Sequence, residues 1–176
     1  CANAQNLLKN PSFETTTSNQ PNDWSFFVQP KYDASSLLDQ RVAKDGTNSV
    51  RLSIGTPYTE DPANNWSQNI LEDVRGKQLQ VRGYIKTENA AEAAIWLQCY
   101  RKRPLHVSLQ QSSTATHLMT GTNDWTAVAF SLRVPEDADF VVVRCVLRGQ
   151  GVAWFDSRAV EAQTPESGAA ALAPAG

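Results

Sequence analysis

Val141-Val142-Val143-Arg144-Cys145-Val146-Leu147 is the stretch that decides the fold. Positions 141, 143, 145 and 147 are all apolar, and Arg144 stands in the opposite phase. A period of two puts alternate side chains on opposite faces of an extended strand, whereas a helix needs a period near 3.6. The same alternation recurs along the chain. Val50, Leu52 and Ile54 alternate with Arg51 and Ser53, and Val81, Gly83 and Ile85 with Arg82, Tyr84 and Lys86. Ile95, Leu97 and Cys99 alternate with Trp96, Gln98 and Tyr100, and Val128, Phe130 and Leu132 with Ala129 and Ser131. Turn signals such as Asp45-Gly46, Arg75-Gly76 and Gly121-Thr122-Asn123-Asp124 stand between them. Only 35–38 and 90–94 read as helical turns, and both are too short for a packed helix. Strands without a helical layer must bury their apolar faces on each other, which predicts an all-β sandwich or jelly roll.

The 176 residues suit one domain, and the 41% hydrophobic and 19% charged fractions are those of a globular protein. A net charge of -2 argues against general nucleic-acid binding. No apolar run approaches the ~18 residues of a membrane helix, so the chain is soluble or is held at a membrane by other means. Cys1 followed by Ala2-Asn3-Ala4-Gln5 resembles the start of a mature bacterial lipoprotein. That resemblance implies acylation of Cys1 and a place in the cell envelope, with secretion as the other setting; the alternative is a plain terminal cysteine. Residues 1–5 then form a tether, 6–160 the domain, and 161–176, without alternation or large apolar residues, a flexible tail or linker. Cys99 and Cys145 both fall in the apolar phase, so they either pair as a disulfide or stay free as small apolar residues.

The opening Asn6-Leu7-Leu8-Lys9-Asn10-Pro11-Ser12-Phe13-Glu14 reads as a first strand, with Phe13 buried and Glu14 beside it. Together with P-N-D-W (21–24), V-A-K-D-G-T-N-S-V-R-L (42–52), W-S-Q-N-I (66–70), G-K-Q-L-Q-V-R-G-Y-I-K-T (76–87), G-T-N-D-W (121–125), V-P-E-D-A (134–138) and G-V-A-W-F-D (151–156), it resembles the jelly-roll carbohydrate-binding modules of the galactose-binding-like superfamily. The resemblance spans 6–160 and implies a structural calcium ion. Glu14 and Asp156 would supply carboxylates, and backbone oxygens at Ser12 and from Lys44 to Asn48 would complete the shell. Ser157 stands where the family often has a second acid. Without a metal, Glu14 is an exposed strand-end acid and Asp156 caps a turn.

Nothing in the sequence assembles a catalytic site. His106 and His117 have no partners at metal-ligand spacing, and read as exposed or half-buried strand residues. No nucleophile elbow or phosphate-binding loop is present, and the acid pairs Glu60-Asp61, Glu72-Asp73 and Glu136-Asp137 sit in apparent turns. Trp24, Trp66, Trp125 and Trp154 read as core aromatics, whereas Trp96 lies in the phase opposite Ile95, Leu97 and Cys99. Alternation places Trp96, Gln98, Tyr100, Arg82, Tyr84 and Arg144 on non-core faces. If their strands share a sheet, the face joins aromatic platforms to guanidinium groups, with Arg101-Lys102-Arg103 at one end. The expected ligand is a polysaccharide, an acidic one suiting the arginines best; the other reading of that face is an ordinary solvated sheet. A non-catalytic carbohydrate-binding module is thus expected. The alternative is an envelope scaffolding domain of the same fold that binds a protein partner, and a polysaccharide-active enzyme stands third.

Overall fold

The computed structural model describes residues 5–58 and 62–163. Its strands are β1 (Thr16–Thr17), β2 (Gln20–Pro21), β3 (Ser25–Phe27), β4 (Ala34–Asp39), β5 (Ser49–Ile54), β6 (Asn64–Ile70), β7 (Gln78–Lys102), β8 (Leu105–Ser112), β9 (Met119–Arg133), β10 (Phe140–Arg148) and β11 (Gly151–Ala162). Among the described residues, helix is limited to the single turns Pro30–Tyr32 and Ser113–Ala115. β1 and β2 form a small hairpin, and the other nine strands are hydrogen-bonded into one antiparallel array.

That array is folded into a jelly-roll sandwich by β7, which is 25 residues long and belongs to both layers. Its first half pairs with β9 on one side and β11 on the other, while its second half pairs with β8 and β10. One layer is therefore β9-β7-β11-β5-β4 and the other β8-β7-β10-β6-β3. The odd positions predicted to be apolar face inward in both halves: Val81 and Ile85 pack in the same buried cluster as Ile95, Leu97 and Cys99. Gly83 marks the close approach of the two layers, because a Cβ there would lie 2.6 Å from Ile95 Cδ1.

Both segments expected to form helical turns are strand. Residues 35–38 lie in β4, in register with β5. Residues 90–94 lie where β7 passes from one layer to the other, with register shifts against β9 on either side of Ala90. Their alanines serve by small volume rather than by helix propensity: Ala90, Ala93 and Ala94 are all buried. Gly151, at φ +126°, sits so close that a Cβ on it would meet Ala90 Cα and Asn89 O at 2.5 Å each.

The expected first strand is also corrected. Asn6 makes a single antiparallel bridge to Glu161, and Leu7 N donates to Val160 O. Beyond it the chain turns, with positive φ at Asn10 (49°) and Phe13 (60°). The Asn10 side chain holds this turn, donating to the carbonyls of Thr15 and Asn22 and accepting from Thr15 N. Phe13 is fully buried as expected. At the other end β11 continues through Ala162, so Glu161 and Ala162 belong to the sandwich rather than to a tail. Cys1, the acid pair Glu60-Asp61, and 164–176 lie outside the described residues.

Cys99 and Cys145 are buried and free. β7 and β10 are neighbours, yet Cys99 faces Val141 and Cys145 faces Ile95, an offset along the strands that a disulfide cannot span. Burial pushes the Cys99 thiol up to about 11 and the Cys145 thiol to about 12. Trp24 and Trp66 are core, whereas Trp154 is buried on the outer face under Arg51 with its Nε1 donating to Asp39, and Trp125 is only half-buried.

The tight crossing makes a specific demand on residue 151. Gly151→Ala should destabilise the fold by about 2–4 kcal/mol, since it adds an atom against backbone at a φ that L residues rarely adopt. Urea unfolding measures this, and an unchanged midpoint would show that the crossing is not close-packed.

Candidate functional site

Even-numbered positions in the second half of β7 point away from the core, which brings Trp96, Gln98 and Tyr100 to the outer face of the β8-β7-β10-β6-β3 layer. Register sets Arg144 of β10 directly beside Trp96, and Phe140 beside Tyr100. β8 contributes Val107 and Gln110 on one flank, and Phe27 of β3 and Asn65 of β6 stand on the other. Together with Pro62, Ala63 and Arg148 these residues, Phe140 excepted, line an open cleft of about 570 Å³. Trp96 and Tyr100 are half-buried within it, and Gln98 is buried beneath.

The floor of the cleft is a connected polar network. Arg144 donates from Nε to Gln98 Oε1 (2.5 Å), from Nη1 to Asn65 Oδ1 (3.0 Å) and from Nη2 to the Tyr100 hydroxyl (3.0 Å). The Tyr100 hydroxyl donates in turn to Gln98 Oε1 (2.9 Å), and Gln98 Nε2 to Gln110 Oε1 (2.7 Å). Tyr100 also stacks on Phe140, with centroids 4.7 Å apart and an interplanar angle of 3°. A network satisfied in this way fixes its members in single rotamers, so the surface offered to a ligand is pre-formed.

Four of the six residues expected on the binding face meet in this cleft, and two do not. Arg82 and Tyr84 share its phase, but the crossing of β7 carries them to the opposite outer face of the sandwich. There they line a separate cleft of about 350 Å³ with Ala127, Ala129 and Ser157. Arg82 is ion-paired with Glu161, and the Tyr84 ring lies under Lys44 Nζ at 4.9 Å. Arg101, expected to extend the positive charge, donates to Asp137 at 2.6 Å and is neutralised there. Phe27, Asn65, Val107, Gln110 and Arg148 join the cleft unannounced. Asn65 precedes Trp66 in a strand whose alternation is weak, and a register shift of β8 opposite Cys99 and Tyr100 separates Val107 from Gln110 in phase although both line the cleft. His106 and His117 are both exposed.

At the edge of the sandwich, Glu14 and Asp156 hold one loop, residues 44–48. Glu14 Oε1 accepts from Thr47 N and Asn48 N (3.0 Å each), and Oε2 from the Thr47 hydroxyl (3.0 Å). Asp156 Oδ2 accepts from Lys44 N (2.8 Å) and Asp45 N (3.0 Å), and Oδ1 from Ser157 N (2.7 Å). Asn48 Nδ2 donates to Phe13 O at 2.9 Å, closing the loop onto the turn that contains Ser12. Both carboxylates thus face N–H and O–H donors, the surroundings of a bound anion. Calcium needs six to eight oxygens around one point. No group of three His, Cys, Asp or Glu suited to a metal occurs among the described residues. This arrangement does not fit a calcium shell.

A cation is present beside Asp156 in another form. Arg158, 2% exposed, lies in the core with its guanidinium 5.1 Å from the Phe155 ring centroid and 5.7 Å from those of Phe13 and Trp24. Burial lowers its pKa from the ordinary value, against the raising influence of Cys145 and Asp156. Burial likewise raises that of Asp156, opposed by the N–H groups of Asp45, Lys44 and Ser157 and by Arg158.

No protein-family model matches the chain, and no curated protein matches it. Solved structures do. A putative sugar-binding protein from Bacteroides thetaiotaomicron superposes with TM-score 0.68 at 12% identity, over 90% of this chain and 100% of that one. The CBM22-1 xylan-binding domain of Paenibacillus barcinonensis Xyn10C gives TM-score 0.60 at 10% identity, over 90% and 95%. The enzymatically active domain of tailspike protein 4 from bacteriophage CBA120 gives 0.65 at 15% identity, over 90% of this chain but only 21% of that much longer one. At these identities the likeness establishes the fold.

The edge geometry makes Glu14 the clamp of the 44–48 loop. Glu14→Ala should cost about 1–2 kcal/mol, since it removes a charged acceptor from three donors. Thermal unfolding in calcium and again in chelator tests this; a loss seen only in calcium would show that a metal, not the N–H groups, holds the loop.

Proposed function

We propose that this domain is a non-catalytic polysaccharide-binding module and that the Trp96–Tyr100 cleft is its binding site. The observation that carries the proposal is the pairing of a half-buried Trp96 ring with a locked polar floor in one open groove. An indole face stacks on the apolar face of a sugar ring, and fixed amide, hydroxyl and guanidinium groups bind its hydroxyls. Solved structures of the same fold are named for xylan and sugar binding, which supports this use of the groove. The tailspike domain raises the enzymatic alternative. Glycoside hydrolysis ordinarily needs two carboxyl groups flanking the bond, and none of the described residues lining this cleft is Asp or Glu. The setting we propose is a bacterial envelope, through an acylated Cys1, or secretion.

Trp96→Ala should abolish polysaccharide retention in affinity gels while leaving the far-UV circular dichroism spectrum and the melting transition nearly unchanged. A variant that binds as well as the wild type would remove Trp96 from the site, and one that unfolds would place its ring in the core.

The anchor has its own test. Native protein should partition with membranes, and the Cys1→Ser form should not. Equal partition of both forms would remove the acyl anchor from the proposal.

A further inference from the structure

We infer that the sugar bound in this cleft carries a carboxylate, so that the ligand is a uronic-acid polymer; the inference rests on the polysaccharide-binding reading of the same cleft. Arg144 is the starting point. Its three described bonds go to an amide oxygen of Gln98, an amide oxygen of Asn65 and the Tyr100 hydroxyl, all of them neutral. Arg75, Arg82 and Arg101 are instead each ion-paired with a carboxylate. No acid stands among the described residues that line the cleft. Arg144 therefore carries its charge into the groove on neutral partners, where low-dielectric walls concentrate the field.

The geometry narrows the anion to a planar one. A guanidinium carries five N–H groups in a fixed fork, and the described bonds of Arg144 use one on each of its three nitrogens. One N–H therefore remains on each terminal nitrogen, and two such groups are what a carboxylate engages in a bidentate pair. The three neutral acceptors hold the fork in position without cancelling its charge. Trp96 and Arg144 are directly opposed across β7 and β10, so their backbones are about 5 Å apart, on the scale of one sugar ring. A pyranose stacked on Trp96 brings its exocyclic carboxylate to Arg144.

The experiment compares polygalacturonate and alginate with the same two polymers after reduction of their carboxyl groups to alcohols, by calorimetry on the full chain. Sulfated dextran and xylan complete the set. The expected result is affinity about tenfold higher for a carboxylated polymer than for its reduced form, the size of one charged hydrogen-bonded contact. That advantage should shrink as salt rises, a readout that needs no variant. Arg144→Gln, checked for folding by its melting transition, should bring the two forms level. Equal binding of native and reduced polymers, or binding of xylan alone, would overturn the carboxylate while leaving the polysaccharide-binding reading intact. Preference for sulfated dextran would replace the carboxylate with another anion and equally overturn it. Absence of binding to every polymer would overturn both readings.

Discussion

The sandwich depends on one strand being in two layers at once. β7 supplies a central strand to each sheet, and its hydrogen bonds to β9 and β11 in the first half and to β8 and β10 in the second link the two layers continuously. Passing from one layer to the other within a few residues forces the backbone through a close approach. Alanines at 90, 91, 93 and 94 and glycine at 151 meet that demand by offering little side chain. The same passage determines where function can sit. Outward side chains of the two halves emerge on opposite sides of the molecule, so a continuous strand makes two unrelated surfaces. The cleft that holds Trp96 lies between β8 on one flank and β3 on the other.

Charge is handled differently at each part of the fold. The edge loop is held by carboxylates enclosed in backbone N–H groups, and the cleft by a guanidinium enclosed in neutral acceptors. In the interior a second guanidinium, Arg158, rests among three aromatic rings instead of hydrogen-bond acceptors. Ring quadrupoles offset part of the cost of burying a cation, by up to about 2 kcal/mol per desolvated contact. Its proximity to Asp156 gives that buried carboxyl a counter-charge from inside the core.

Fold class was legible in the sequence because alternation reports directly on which side of a strand is wet. Val141 to Leu147, Val81 to Ile85 and Ile95 to Cys99 all kept the phase assigned to them. Helical turns at 35–38 and 90–94 were misjudged, since Ala and Leu over four or five residues carry no periodicity and tertiary packing decides. The N-terminal segment showed the converse error. Its Leu7, Leu8 and Phe13 are buried or half-buried, but through a turn set by the Asn10 side chain. At the cleft, phase correctly separated Trp96, Gln98, Tyr100 and Arg144 from the core. It could not separate them from Arg82 and Tyr84, because a strand that changes layers keeps its parity while its outside changes direction. Asn65, Gln110 and Arg148 reach the cleft through pairings between distant strands, which no local pattern records.

The position of β11 has a consequence for how the chain is made. It is the last of the described strands in sequence, yet it lies inside its layer, hydrogen-bonded to β5 on one side and to β7 on the other. A chain emerging from the ribosome therefore presents β5 and β7 with facing open edges until residues 151–162 have been synthesised. Open strand edges are templates for pairing with other chains. The layer that carries the cleft has no such wait, since β3, β6, β7, β8 and β10 all precede β11. The binding half of the sandwich can be paired while the other half is still open, and the final strand then enters the gap between β5 and β7 to close the domain.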